Sequence, residues 1–582
     1  MSLNVNVDGN ANSANRVWQE YARRPLVPLP QLLPGPLRLE TRSAGKNMAS
    51  SQEDLSKLRS GWHHSRFEPY VKVLAPELAS LPNFRGELAP RVCAEIDVGA
   101  LIENCAACQK QATESGETGV VAVVKADAYG HGAAVVARVL HRHCGIGFFA
   151  VATLPEALEL RAAGLDLPVR VVVLGASVPD EWAIFAKFGI ELVIESEATA
   201  RLLCALPGSG DALKVHVMLN TGMNRIGLAA FDSSTETHGR AAAAPKRAAL
   251  SDVFAPLGDL PEGRPLAEGP PAPPAPPPTF KRSESASSVG SSGRDQEYHG
   301  IFVDEAVDVV SRVAAAPALA FVGLCTHMAD ATANTHRYTQ RQFGRFRDIV
   351  LALRDKGVCV PMVHCENSET LLSELVGPER MRQLLGPDTA GFCRVGGALY
   401  GQRHHSVLKP VMTLKAQVRH VHRLEKGMTV GYDRSWIAPC DCLIATLAVG
   451  FADGYSRSLS NRGKVGIRGH EFTIAGKVCM DMSMVNLGPP DGPGAAVRVG
   501  DFATLWGLGG QSLADTADDL ATAQSDLTCD LSRRVTRRYV NLPDGFEPPQ
   551  ARAADWLAPL RSLGESLGEA LRTSPAQSQR KI

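Results

Sequence analysis

The stretch Gly119-Val-Val-Ala-Val-Val124, followed by Lys125-Ala-Asp-Ala-Tyr129-Gly-His-Gly132, decides the fold. Its β-branched apolar run fits a strand buried on both faces. From Gly132 to His141 the apolar residues then fall at helical spacing, beginning with Ala133, Val136, Val139 and Leu140. The rhythm recurs downstream. Gly147–Ala152, Arg170–Leu174, Leu192–Ile194, Lys214–Leu219 and Ala320–Thr326 read as strands, alternating with helix-compatible stretches such as Pro155–Ala163 and Ser196–Leu206. Repeated strand–helix alternation implies a parallel sheet with helices outside it. Between Arg91 and Tyr400 it covers roughly 240 residues once an insertion is set aside, the natural size of a (β/α)₈ TIM-type barrel. Periodicity alone leaves an open doubly wound sheet as the alternative.

After Leu408 the texture changes. Val411–Val421, Leu443–Val449 and Lys464–Val478 are β-rich and separated by Gly, Asn, Asp and Pro, and no long helical pattern intervenes before about Leu513. This predicts a second, mainly antiparallel β domain. Residues 231–300 include Gly269-Pro-Pro-Ala-Pro-Pro-Ala-Pro-Pro-Pro278 and a Ser/Gly-rich run, too poor in apolar surface to offset the entropy of ordering. The expected organisation is an N-terminal extension (1–90), a barrel (91–405) interrupted by a disordered insertion (231–300), a β domain (406–545) and a tail (546–582). The tail's Trp556, Leu557, Leu560, Leu563, Leu567 and Leu571 step as an amphipathic helix.

Composition narrows the function. The 582 residues suggest about four domain-sized units. Lys plus Arg and Asp plus Glu both total 61, so the net charge is 61 − 61 = 0, against a nucleic-acid-binding protein. No apolar run is long enough to span a membrane. Thirteen cysteines, odd in number and scattered, read as thiols in a reducing, cytoplasmic setting. The arginine-weighted N-terminal extension is the one feature that would favour an organelle instead. Cys105-Ala-Ala-Cys108 and Cys440-Asp-Cys442 lack matching second pairs, so no metal site is expected.

Lys125 closes the first strong strand, and barrel active sites lie at the carboxyl ends of strands. Apolar surroundings would lower its pKa and free its amine for Schiff-base chemistry. The segment Val124–Gly132 closely resembles the pyridoxal-phosphate lysine motif of the alanine racemase family, whose fold is a barrel plus a β domain. Seven further motifs follow in the family's order. They are Asn220-Thr-Gly-Met-Asn-Arg225-Ile-Gly227, Thr326-His-Met-Ala329, His364-Cys-Glu-Asn-Ser368 and Arg394-Val-Gly-Gly-Ala-Leu-Tyr-Gly401, then Val430-Gly-Tyr-Asp-Arg-Ser-Trp436, Gly450-Phe-Ala-Asp-Gly-Tyr-Ser-Arg457 and Val478-Cys-Met-Asp481.

The resemblance implies a homodimeric, pyridoxal 5'-phosphate-dependent enzyme interconverting L- and D-alanine by two-base proton transfer. Lys125 would serve one face of the substrate's α-carbon and Tyr432, contributed by the other subunit, the opposite face. His364 would be the tyrosine's partner. Arg394, supported by His327, would face the cofactor's pyridine nitrogen. Tyr129, Ser368 and backbone amides at Gly396 and Gly397 would hold its phosphate. Arg225 and the amide of Met480 would hold the substrate carboxylate, with Asp481 in support.

Two positions depart from the family. Met218 stands where a lysine seven residues before the arginine is common, with Asn220 as a compensating polar neighbour. The stretch Asp526-Leu-Thr-Cys-Asp530 lacks the family's phosphate-contacting tyrosine, leaving Thr528 as a possible donor, and weaker cofactor retention is expected. A serine or broad-specificity racemase, a decarboxylase on the same fold and an inactive cofactor-binding homologue remain alternatives.

Overall fold

The computed structural model of the protein describes residues 62–63, 90–117, 119–208, 212–230, 293–330, 336–386, 388–403 and 405–546. The proline-rich part of the expected insertion and the amphipathic tail lie outside these residues.

Strand β1 (Val92–Asp97) and helix α1 (Val98–Glu114) lead into eight strands: β2 (Gly119–Val123), β3 (Phe148–Val151), β4 (Arg170–Val173), β5 (Glu191–Ile194), β6 (Leu213–Asn220), β7 (Leu319–Cys325), β8 (Met362–His364) and β9 (Ala390–Val395). Each pairs in parallel with the next, and β9 pairs with β2 through Arg394↔Val121, which closes the barrel. Successive side chains point to opposite faces of a strand. One set, including Val121, Val123, Phe148, Val172, Val193 and Met218, fills the barrel. The alternate set, including Val120, Ala122, Phe149, Val151 and Val171, joins the larger core that includes helix residues such as Leu101 and Val136. The β-branched runs of the sequence are thus buried on both sides.

The β domain contains β10 (Met412–Leu424), β11 (Cys442–Leu447), β12 (Lys464–Ile467), β13 (His470–Ile474), β14 (Ser483–Asn486), β15 (Phe502–Trp506) and β16 (Thr536–Val540). The long β10 pairs antiparallel with β11, β15 and β1. Three details differ from the sequence expectation. β1, expected at the front of the barrel, lies between β10 and β16 in the β-domain sheet. The segment Lys464–Val478 is a hairpin, turning at Arg468 and Gly469 with φ of +53° and +80°, the left-handed pair a tight hairpin favours. Residues 293–300, assigned to the insertion, begin the helix Gly293–Ala315, whose continuation buries Ala306, Val307, Val310 and Val313 at helical spacing.

Candidate active site

Lys125 leaves the carboxyl end of β2, and the four residues after it are left-handed: Ala126, Asp127, Ala128 and Tyr129 have φ between 52° and 55°. Each L-residue held this way costs roughly 1–2 kcal/mol, so the turn needs external support. The Glu156 carboxylate accepts from the Ala126 amide at 2.7 Å and from those of Ala152 and Thr153 at 2.7 and 3.1 Å. Asp127 accepts from the Ala133 amide at 2.8 Å. The β domain clamps the far end. Arg537 Nε donates to the Gly130 carbonyl and the Tyr539 hydroxyl to the His131 carbonyl, both at 3.0 Å. At Gly130, with φ of +81°, a Cβ would meet the Thr528 carbonyl oxygen at 2.0 Å, so only glycine fits. Burial and the charge of Arg225 both lower the Lys125 pKa, which favours the neutral amine.

Where this turn reaches Tyr129 stands a polar cradle. Ser368 Oγ accepts from the amides of Gly396 and Ala398 at 3.0 and 3.3 Å. A Cβ on Gly396 would fall 2.5 Å from Tyr129 Oη, and one on Gly397 would fall 3.0 Å from Arg403 Cζ. Two hydroxyls, backbone amides and a cation thus close on a turn that side chains cannot enter, a donor set suited to a phosphate. Thr528 does not join them. It is fully buried, and its hydroxyl accepts from Gln402 at 2.9 Å and donates to the Ser525 carbonyl at 3.3 Å.

Arg394, buried on β9, fixes the tautomers of its neighbours. Its Nη1 lies 2.8 Å from His364 Nδ1, and its Nη2 lies 3.0 Å from His327 Nδ1 and 2.6 Å from the Thr326 carbonyl. Guanidinium only donates, so both ring nitrogens must accept. Burial and the Arg394 charge push His327 down to about 3 and His364 well below its ordinary value, keeping both neutral. His364 Nε2–H then donates to His216 Nδ1 at 3.1 Å, and His216 Nε2–H donates to Glu191 at 2.7 Å. Glu191 accepts two further bonds from Arg170, each 2.7 Å. A directed chain therefore runs through the barrel interior from Arg394 to Arg170. Both His364 nitrogens are committed to it, so His364 does not partner Tyr432 as the sequence reading expected.

Arg225 follows β6. Burial, then the charge of Arg394, lowers its pKa, and its own charge reaches both Lys125 and His327. Met218 is buried and packs its sulfur 3.8 Å from Cys325 Sγ. Asn220 builds the turn beneath Arg225, accepting from the amides of Gly222 and Asn224 at 3.2 and 2.9 Å. It acts on the backbone, not on the guanidinium.

The remaining residues form a separate cluster. Tyr432, Cys479, Met480, Asp481 and Met482 line a cleft of about 490 Å³ on the β domain, and among the described residues none from the barrel lies on its wall. Tyr432 is 62% exposed and Met480 56%. Asp481 accepts from Arg534 at 2.6 Å. Lys125, Tyr129, Arg225, His327, Ser368 and Arg394 therefore converge at the carboxyl end of the barrel, while Tyr432, Met480 and Asp481 wait elsewhere on the same chain.

Sequence reasoning missed Glu156, Glu191, His216 and Arg403. A histidine inside the apolar run Val215–Leu219 was the one available signal. Among the described residues, no group of three His, Cys, Asp or Glu side chains could hold a metal ion, and no helix is long and apolar enough to cross a membrane.

The family model "Alanine racemase, N-terminal domain" matches residues 96–262 and 293–404, and "Alanine racemase, C-terminal domain" matches 411–539. An alanine racemase of Cutibacterium acnes is 32% identical over 454 residues, covering 76% of this chain and 96% of the relative. One from Desulforamulus reducens is 29% identical over 457 residues, covering 77% and 99%. The crystal structure of alanine racemase from E. faecalis superposes with a TM-score of 0.57 at 25% identity, covering 77% of this chain and 98% of that one. With its barrel, its β domain and both matched segments in order, the chain belongs to the alanine racemase family.

Proposed function

We propose that this protein is a pyridoxal-phosphate-dependent racemase interconverting L- and D-alanine, working as a homodimer whose sites are shared between subunits. The observation that carries the reading is the placement of Lys125. An amine whose charge is disfavoured by burial and by the cationic Arg225 opens the turn whose Tyr129 closes on the Gly396 cradle. Bound pyridoxal phosphate supplies the electron sink that makes an amino acid's α-hydrogen acidic. Tyr129, Ser368 and backbone amides at Gly396 and Gly397 would hold its phosphate, and Arg394 would face its ring nitrogen. Because guanidinium keeps its protons, Arg394 would donate a hydrogen bond there without protonating the ring.

The protein's own groups then divide the work. Arg225 holds the substrate carboxylate by charge-assisted hydrogen bonds. Lys125 Nζ takes or returns the α-proton on one face. The opposite face needs a second group. Tyr432 and Met480, exposed together on the β domain, are the half-site a second copy would bring over Lys125. All thirteen cysteines are free thiols, in keeping with a cytoplasmic setting.

The test is α-hydrogen exchange in heavy water, with purified protein and pyridoxal phosphate and with L-alanine and L-serine in separate tubes. The expected result is loss of the alanine α-proton with D-alanine appearing on a chiral column. Preferred turnover of serine would reassign the substrate. Exchange of neither would reduce the protein to a cofactor-binding homologue.

A further inference from the structure

We propose that Arg403 is a direct ligand of the cofactor's phosphate, a role that rests on the reading of the cradle given above. Its guanidinium lies flat against the backbone of Gly397. A Cβ there would meet Cζ at 3.0 Å, Nη1 at 3.1 Å and Nη2 at 3.2 Å, so the absence of a side chain at Gly397 is what lets the cation in. The residue before it, Gly396, admits Tyr129 Oη in the same way, and the Gly396 amide meets Ser368 Oγ at 3.0 Å. One short turn therefore collects a hydroxyl from the Lys125 loop, a hydroxyl from the segment after β8 and a guanidinium from the segment after β9.

Arg403 is held in place without being used up. Nη1 donates to the Gln402 carbonyl at 2.7 Å, and Nε lies 3.3 Å from Glu369 Oε2, beside Ser368. Among the described residues, Nη2 makes no hydrogen bond. The Arg403–Glu369 pair is 39% exposed on each side, so it is a weak, screened contact. A phosphate dianion would outcompete a single carboxylate for this cation, with two parallel hydrogen bonds available to it. The same charge reaches Tyr129, whose pKa is raised by burial and lowered by Arg403. Thr528, the donor the sequence suggested, is committed to Gln402 and Ser525. Arg403 supplies the stronger contact instead, and the expected weak cofactor retention does not follow.

The test compares binding of pyridoxal phosphate with binding of pyridoxal, which has no phosphate, to the apo forms of wild type, Arg403→Met and Arg403→Lys. Equilibrium dialysis reads affinity, and the phosphorus NMR shift of the bound cofactor reports its phosphate surroundings. Arg403→Met should weaken pyridoxal phosphate roughly tenfold or more, leave pyridoxal unchanged and move the phosphorus resonance. Arg403→Lys should fall between, keeping the charge but losing the fork. Equal weakening of both compounds, or an unchanged affinity for pyridoxal phosphate with an unmoved resonance, would overturn the proposal. Wild-type protein that binds pyridoxal phosphate no better than pyridoxal would instead overturn the underlying cofactor reading.

Discussion

Glu191→Gln tests the chain of hydrogen bonds inside the barrel. Glu191 is 1% exposed, and burial alone would raise its pKa. The hydrogen bonds and charges of Arg170 and His216 outweigh that, taking it from 4.5 to about 2. The difference, 4.5 − 2 = 2.5, corresponds to about 3 kcal/mol at 1.36 kcal/mol per unit. Because the folded value is depressed, this stability is complete above the unfolded pKa and is lost as pH falls from 4.5 toward 2. The same two values leave roughly 1.4 kcal/mol at pH 3. Glutamine preserves the carbonyl that accepts from His216 but removes the charge facing Arg170. Urea unfolding of the apo-protein, followed by the fluorescence of buried Trp182 and Trp506, should show Glu191→Gln less stable by about 3 kcal/mol at pH 7. The gap should narrow to less than half of that at pH 3. A gap below about 1 kcal/mol at pH 7, or one that does not change with pH, would refute the charge-based account.

Three further outcomes are expected. Tyr432→Phe and Lys125→Ala homodimers should each be inactive, whereas unfolding and refolding them together should restore up to roughly a quarter of wild-type activity; no recovery would count against a site shared between subunits. Gly396→Ala places a methyl 2.5 Å from Tyr129 Oη, and should weaken pyridoxal phosphate binding roughly tenfold with little change in melting temperature; unchanged binding by dialysis would remove Gly396 from the cradle. Among the described residues, the buried carboxyl oxygens of Glu117 and Glu366 find no hydrogen-bond partner, and burial raises both pKa values above the ordinary carboxylate range. The native state therefore holds protons that the unfolded chain releases, so stability should fall as pH rises above about 4.5. Glu366→Gln should flatten that slope in thermal melts, and an unaltered slope would rule out the pair as its source.

Lys125 was legible because its signal is local: an apolar β-branched run ends on a lysine, and the motif around it is contiguous. The strand–helix alternation was legible for the same reason, since each element carries its own period. Closure was not, because an open doubly wound sheet has the same periods and only the pairing of Arg394 with Val121 decides between them. Nor was the polar chain. Arg170, Glu191, His216, His364 and Arg394 sit on five strands, and only the inward parity of each residue together with the register of closure brings them into line. The left-handed turn was hidden as well, because Ala126–Tyr129 contains no glycine and its support comes from Glu156 and the distant Tyr539. Arg403 lies in Gln402-Arg-His-His405, which in a sequence looks like a solvated loop. The membership of β1 in the β domain was illegible in principle, since a strand's composition does not say which sheet it joins.

That last feature bears on how the chain is made. Val92–Asp97 leaves the ribosome early, yet both neighbours it needs, Met412–Leu424 and Thr536–Val540, come more than three hundred residues later. Until then its edges have no permanent partner, and an unpaired edge invites association with other chains. Closing so large a loop also slows the final step of folding. The barrel can therefore assemble during synthesis, but the clamp on the Lys125 turn arrives only with Arg537 and Tyr539 at its end. Nascent chains cut short before residue 536 should hold a barrel whose lysine turn keeps its Glu156 support but lacks the far-end clamp, so cofactor capture should tighten only once the last strand of the β domain is in place.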